Sequence, residues 1–190
     1  MIIAGSTHRG EEEVVLRAFR ALRDRYDHAR LIIAPRHLER LHEVESLIEA
    51  MRLTSVRLSQ ESLIGGWDVG LVDTFGQLPL YYGMATIVFI GGSLIPHGGQ
   101  NPLEAASLGK PIVFGPSMHN FAEIAHQLLA HHAARQVERA KGLTLLFQEL
   151  LEEPAQMQAM GQRAQGLTER LQGATQRTLG ALQSLLPHLS

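Results

Sequence analysis

The sequence contains no cysteine among its 190 residues. This absence excludes disulfides, cysteine-ligated zinc sites and thiol nucleophiles. Aromatic residues make up only 5% of the chain, and neither sign of charge is in clear excess, because 17 basic residues stand against 19 acidic ones. A general nucleic-acid binder normally carries a basic excess, so we expect no nucleic-acid partner.

Long apolar runs and an N-terminal leader are also missing. The longest apolar run, residues 81–92, has about 12 residues, whereas a membrane span needs roughly 18. No basic leader of the signal-peptide type precedes the apolar start MIIA. Hydrophobic residues nevertheless account for 45% of the chain, which is too many for a disordered segment. We therefore expect a soluble, folded chain with about one domain.

Buried-strand patterns alternate with amphipathic helices through the first 153 residues. Three glutamates, Glu11 to Glu13, open the first helical pattern, where carboxylates suit the positive end of the helix dipole. The alternation predicts a Rossmann-like, doubly wound α/β fold, a parallel sheet with helices on both faces. Its strands are expected in the segments MIIAG, RLIIAP, SVRLS, VGLVD, TIVFIGG and PIVFG.

Residues 154–190 carry no strand signal. Their apolar residues recur at three- and four-residue spacing, so we predict a C-terminal helical tail. The tail is expected to pack on domain 1–153 or on an absent N-terminal domain, with self-association as the alternative. Because the chain opens inside an apolar strand, we expect an N-terminal domain to precede it in the intact protein.

Ligands of open α/β sheets bind beyond the carboxyl ends of the strands. In the loop after TIVFIGG, Gly98 and Gly99 permit close backbone approach, and the helix start that follows suits a phosphate. Glu104 could accept hydrogen bonds from a ribose diol, and the fixed donors of Arg36 suit a base edge, a phosphate or a sugar carboxylate. Each residue also has a plain structural interpretation, as turn glycines, a first-turn glutamate and a surface arginine.

Several common enzyme signatures are absent. The sequence has no GxGxxG, P-loop, GxSxG or HExxH motif, which disfavours dehydrogenases, NTPases, triad hydrolases and zinc proteases. The ten histidines are expected to be solvated or to cap helices. We therefore expect neither a bound metal nor a cofactor.

One family resemblance covers about residues 4–125. The segments STHRGEEE, LIIAPRHLER, DTFGQL, FIGGSLIPHGGQNPLEAASLGKPIVFGP and HNF resemble, in this order, the C-terminal half of 3-deoxy-D-manno-octulosonic acid (Kdo) transferases. These enzymes have the two-domain GT-B architecture and move Kdo from CMP-Kdo to a lipid A precursor in lipopolysaccharide biosynthesis. They do so with inversion at the anomeric carbon, on the cytoplasmic face of the bacterial inner membrane. The resemblance implies that residues 1–153 bind the donor CMP-Kdo.

The resemblance also implies which residues touch the donor, and it assigns the acceptor and the membrane contact to the N-terminal domain. The general base belongs to that absent domain, so no catalytic residue is assigned, and we expect the chain alone to bind CMP without transferring Kdo. In one departure from the family, its DTxGEL motif reads DTFGQL here. The implied CMP contacts are Pro35, Arg36, Gly76, Gln77, Leu78, Asn101, Pro102, Leu103 and Glu104, with Ser6, Thr7, Gly98 and Gly99 as further phosphate or Kdo contacts.

Two alternatives stay open. The first is a GT-B donor domain for a UDP-sugar, which is disfavoured because Ile112 stands eight residues after Glu104, where retaining enzymes have a second glutamate. The second is a non-catalytic module that binds a nucleotide sugar or, through the helical tail, a protein.

Overall fold

A seven-stranded parallel sheet runs through the part of the chain that the structure describes. The structure is a computed structural model that describes residues 1–60 and 66–185, those after 172 by their backbone alone. The strand order is β3-β4-β2-β1-β5-β6-β7, and every pairing is parallel. This confirms the predicted doubly wound α/β fold. The strands are β1 (Ile2–Thr7), β2 (Leu31–Pro35), β3 (Ser55–Arg57), β4 (Val69–Leu71), β5 (Ile87–Ile90), β6 (Ile112–Phe114) and β7 (Ala134–Gln136).

Helices cover both faces of the sheet. Helices α1, α2 and α6 bury their apolar residues on one face, and α3, α4 and α5 bury theirs on the other, while α7 contributes Met160 to the first face and Ala164 and Leu167 to the second. Strands β2 and β5 are buried along their whole length, as expected for parallel strands that are covered on both sides. The helices are α1 (Glu11–Arg23), α2 (Leu41–Ala50), α3 (Leu78–Gly83), α4 (Leu103–Ser107), α5 (Ala122–Ala130), α6 (Leu143–Glu152) and α7 (Pro154–Leu185).

Helix α7 is the predicted tail. Met160, Ala164 and Leu167 are buried, so this part of α7 packs on its own domain. Its contact with the end of α4 is close, because a Cβ atom on Gly161 would lie 2.0 Å from the carbonyl oxygen of Gly109. Residues 186–190 lie outside the described residues, and the division of the chain at residue 153 stays a prediction. Within the described ranges, no helix combines the length and the apolar character needed to cross a bilayer.

The strand order fixes where a ligand would bind. The chain moves outward from β1 through β2 towards β4 and β3, and then returns to β5 on the other side of β1. In open α/β sheets the crevice at such a switch point is the usual ligand site. The loops that follow β1 and β5 meet at this point, and the loops after β2 and β4 lie beside it.

Candidate functional site

A small cleft opens where β1, β2 and β4 end. Its volume is about 90 Å³. Clefts that hold whole small molecules usually have about 300–1,000 Å³, so this cleft would enclose only part of a nucleotide. Five of the residues predicted from the sequence line it, among them the cation Arg36. The lining residues are Ser6, Ala34, Pro35, Arg36, Leu38, Val72, Thr74, Phe75, Gly76 and Leu78.

Arg36 brings an available positive charge to this cleft. Its backbone N–H donates to the carbonyl oxygen of Thr7 at 2.9 Å, which ties the residue to the end of β1. Its side chain is exposed, and no residue in the described ranges forms an ion pair or a hydrogen bond with the guanidinium group. The cleft therefore has a cation that is free to bind an anionic or hydrogen-bonding ligand.

Residues 101–104 lead from the loop after β5 into the first turn of α4. The Oδ1 atom of Asn101 accepts the Leu103 N–H at 3.0 Å, so this side chain shapes the entry into α4. Glu104 is exposed. The pKa of the buried Tyr82 hydroxyl is raised, mainly by its burial and in second place by the negative charge of Glu104. A Cβ atom on Gly5 would meet the Tyr82 hydroxyl at 1.9 Å, so Tyr82 packs directly on β1. Within the described residues the Glu104 carboxylate has no hydrogen-bond or ion-pair partner, so its acceptor oxygens are available.

A buried carboxylate holds together the two loops at the switch point. Glu11 is fully buried and accepts four backbone hydrogen bonds: from His8 at 3.0 Å, Gly92 at 2.6 Å, and Ser93 and Leu94 at 2.9 Å each. Burial raises the pKa of Glu11, and the four N–H donors oppose that rise. Glu11 lies in the first turn of α1, as predicted, where its charge suits the helix dipole. The same carboxylate also holds the loop after β5 in place.

Glu12, next in the chain, is fully buried too and forms a two-point ion pair with Arg40, with N–O distances of 2.8 and 3.2 Å. The sequence predicts neither partner, because both contacts join segments that are distant along the chain. Both glutamates lie in the first turn of α1, as predicted, and each also has a long-range partner.

The rings of three histidines lie close together, one from each of three loops. The ring centroids of His8 and His97 are 3.9 Å apart, and those of His8 and His37 are 5.7 Å apart. The Nε2 atom of His8 lies 3.1 Å from Nε2 of Gln100. His8 is 7% exposed, so the expectation that the histidines are solvated or cap helices is wrong for this one.

The surroundings of His8 favour the neutral imidazole. Burial, followed by the charges of His97, His37, Arg40 and Arg36, lowers the pKa of His8 to about 4. A neutral ring can accept the Gln100 amide proton at Nε2 and carry its own proton at Nδ1. Within the described ranges Nδ1 has no hydrogen-bond partner and still reaches solvent, and no cluster of three or more metal-binding side chains is present.

Comparison with known proteins decides the family. The crystal structure of the C-terminal CMP-Kdo binding domain of WaaA from Acinetobacter baumannii superposes with a TM-score of 0.81 and 31% sequence identity. The match covers 86% of this chain and 86% of that domain. This chain belongs to the Kdo transferase family. No protein-family model matches the sequence.

The curated Kdo transferases are longer than this chain. The enzyme of Haemophilus influenzae is 36% identical over 161 residues, a match that covers 84% of this chain and 38% of the relative. The fold itself is more widespread than the family. Anabaena HepE, solved in complex with UDP and glucose, matches with a TM-score of 0.65 but only 16% identity, so that likeness shows the fold alone.

The family departure at Gln77 falls on an exposed side chain. Gln77 stands at the start of α3, and its Oε1 atom accepts a hydrogen bond from the Tyr81 hydroxyl at 3.3 Å. A glutamate at this position could accept the same bond. Next to it, Phe75 lines the cleft with 77% of its surface exposed, which is unusual for a large apolar side chain. Phe75 is not among the contacts predicted from the sequence, although a large apolar residue in a predicted ligand loop could have indicated it.

Of the two predicted contacts at the end of β1, the structure presents one. A bulge between Gly5 and Thr7 places Ser6 at a φ of 53°, an uncommon value for a residue with a side chain, and Ser6 lines the cleft. Thr7 is fully buried, and its hydroxyl has no partner within the described residues. The Thr7 side chain is therefore not accessible to a ligand in this structure.

Gly98 and Gly99 are required by the protein itself. Their φ angles are 100° and 75°. A Cβ atom on Gly98 would lie 2.4 Å from Nδ2 of Asn120, and one on Gly99 would lie 2.3 Å from Sδ of Met118. A side chain at either position would therefore meet the loop after β6, and contact of these glycines with a ligand stays a prediction. The plain interpretation as turn glycines explains both residues.

Proposed function

We propose that this chain binds CMP-Kdo as the donor-binding domain of a Kdo transferase. The observation that carries the proposal is the match to the A. baumannii domain, which is described as binding CMP-Kdo and aligns over 86% of both chains. The cleft beside β1, β2 and β4 supports it, since five residues implied by the family resemblance line that cleft.

The cleft suits the nucleotide half of the donor. The base would lie between Pro35 on one side and Gly76–Leu78 on the other, and the exposed ring of Phe75 offers a surface for stacking. The guanidinium group of Arg36 would reach from the same strand end to the phosphate. The available Glu104 carboxylate would accept hydrogen bonds from the ribose hydroxyls. Asn101, Pro102 and Leu103 would form the wall beside the ribose and the phosphate.

The reaction divides between this chain and the rest of the enzyme. The oxygen of an acceptor hydroxyl attacks the anomeric carbon of Kdo and forms the new glycosidic bond. The bond between this carbon and the phosphate oxygen of CMP breaks, and CMP leaves with the bonding electrons. Arg36 would stabilise the negative charge that develops on the departing phosphate, because it is held at the cleft before reaction. The base that takes the hydroxyl proton would come from outside this chain.

The whole enzyme would act at the cytoplasmic face of the bacterial inner membrane and transfer Kdo to a lipid A precursor. The chain spans 38% of the length of its H. influenzae relative, so the remaining part would bind the acceptor and contact the membrane. In this chain, residues 1–153 would form the donor site, and the tail from residue 154 would support it by packing on α4. We expect this chain alone to bind CMP and to show no transfer.

Calorimetric titration with CMP tests the proposal, and UMP serves as the competing nucleotide. We expect saturable CMP binding, at least tenfold weaker UMP binding, and a loss of at least tenfold in CMP affinity for Glu104→Gln, because a hydrogen bond to a charged group is worth about 1.5–3 kcal/mol. Glu149→Gln is the matched control, since Glu149 lies on α6 and pairs with Arg135 at the surface. Equal binding of UMP would favour a UDP-sugar enzyme, and no CMP binding by the folded chain would contradict the proposal.

A further inference from the structure

The histidine cluster lies beside the nucleotide cleft, at the switch point of the sheet. His8 follows the last residue of β1 and stands two positions after the cleft residue Ser6, and His37 follows Arg36 at the end of β2. His97 comes from the loop after β5, on the other side of the switch point. The cluster therefore borders both the cleft and the crevice where open α/β sheets bind their ligands.

The surroundings of the histidine cluster favour the binding of a negatively charged group. Both Arg36 and Arg40 are close enough for their charges to act on His8. The nearest carboxylates are already occupied: Glu11 accepts four backbone N–H groups, and Glu12 and Glu43 pair with Arg40. No carboxylate within the described residues forms an ion pair with His8 or His97, so these two imidazoles have no anionic partner from the protein. His37 differs, because its Nδ1 atom lies 3.6 Å from a carboxylate oxygen of Glu39.

The available hydrogen-bonding groups are donors. Nδ1 of His8 reaches solvent, the His97 ring is exposed, and the Gln100 amide lies against the other nitrogen of His8. Because Gln100 donates to Nε2, the neutral His8 ring carries its proton at Nδ1, and the two imidazoles can then donate to a planar acceptor with two oxygens. A carboxylate has this shape, and bound there it would also favour protonation of the rings.

We propose that His8 and His97, supported by Gln100, bind the carboxylate of the donor's sugar acid. This inference rests on the proposed function, because it assumes that the nucleotide occupies the adjacent cleft. The cluster would then select a sugar that carries an acid group, such as Kdo, over a neutral sugar attached to the same nucleotide. His37 would lie at the edge of this subsite and add positive charge when protonated.

The experiment compares the dissociation constants of CMP and CMP-Kdo in the wild-type chain and in three single variants. His97→Asn removes an exposed ring, so it is expected to fold normally, and His8→Asn removes the buried ring. We expect each to weaken CMP-Kdo binding about tenfold or more while CMP binding stays within twofold. His126→Asn, an exposed histidine of α5, is the matched control and should change neither value.

The two ligands separate failure of this inference from failure of the proposed function. If both cluster variants bind CMP-Kdo as tightly as the wild type, or lose CMP and CMP-Kdo by the same factor, the carboxylate subsite is wrong while donor binding stands. If the wild-type chain binds neither ligand, the proposed function fails and this inference fails with it. Should His8→Asn not fold, His97→Asn alone decides.

Discussion

Glu11→Gln is expected to destabilise the chain far more than any exposed glutamate substitution. The carboxylate is fully buried, and both of its oxygens accept backbone protons: Ser93 and Leu94 donate to Oε1, and His8 and Gly92 donate to Oε2. Glutamine keeps the size of the side chain but replaces one acceptor oxygen by an NH2 group. Two N–H donors then face another donor instead of an oxygen.

The expected loss follows from those two donors. A buried donor left without a partner costs about 1–3 kcal/mol, so two of them give a loss of about 2–6 kcal/mol. A domain of this kind has a free energy of unfolding of about 5–15 kcal/mol, so the variant should fold but unfold at clearly lower denaturant concentration. The placement of both loops at the switch point depends on the same contacts.

Urea unfolding followed by circular dichroism measures this loss. Glu13→Gln is the matched control, because Glu13 stands in the same helical turn and forms only a surface ion pair with Arg17. Its free energy of unfolding should fall by less than about 0.5 kcal/mol. A Glu11→Gln value within about 1 kcal/mol of the wild type would refute the view that this carboxylate holds the two loops together.

Three further expectations concern packing and pH. Gly161→Ala should lower the free energy of unfolding by about 1–3 kcal/mol, because its Cβ atom would meet the Gly109 carbonyl. Gly166→Ala in the same helix is the control and should leave the free energy of unfolding unchanged or raise it by up to about 1 kcal/mol. Equal effects of the two substitutions would contradict the α4–α7 contact. Gly5→Ala should also destabilise by about 1–3 kcal/mol, and Tyr82→Phe, which removes the hydroxyl nearest to the new methyl group, should recover part of the loss in the double variant; unfolding curves of all three test this. Because the pKa of His8 is lowered from 6.5 to about 4, its contribution to stability is present above pH 6.5 and is lost as the pH falls towards 4. Between pH 7 and pH 5 the free energy of unfolding should therefore fall by about 1 kcal/mol less in His8→Asn than in the wild type. This difference is smaller than the full effect of the pKa shift, because solvent that reaches the ring screens part of it. Equal falls in the two proteins would contradict the expectation.

Much of the sheet can be predicted from the sequence because its central strands are continuous apolar runs. Strands β2, β5 and β6 fall inside such runs, and the predicted segments for β3 and β4 also contain the observed strands. Strand β1 begins in the predicted run MIIAG and extends two residues beyond it, to Thr7. Strand β7 (Ala134–Gln136) escaped prediction because only its first residue is buried, so it lacks an apolar pattern. Helix α3 has only six residues, too few to show a periodicity.

The candidate site is less predictable, because its main contacts join loops that are far apart along the chain. The rule that ligands bind after the strands selects loops that line the cleft, and five of the predicted residues are among the lining residues. It does not reveal that Glu11 turns back to the loop after β5, or that Gly98 and Gly99 make room for Asn120 and Met118. The histidine cluster did leave a signal, since three of the predicted loops each contain a histidine close to the strand end.

The most direct test of donor binding is a map of the backbone amide resonances that shift when CMP is added to the labelled 190-residue chain. We expect the largest shifts at the amides of Arg36, of residues 76–78 and of Asn101, Leu103 and Glu104, with smaller shifts at Ser6, and we expect helices α2 and α6 to stay unchanged. Shifts confined to other surfaces, or no saturable shifts in a well-dispersed spectrum, would contradict it.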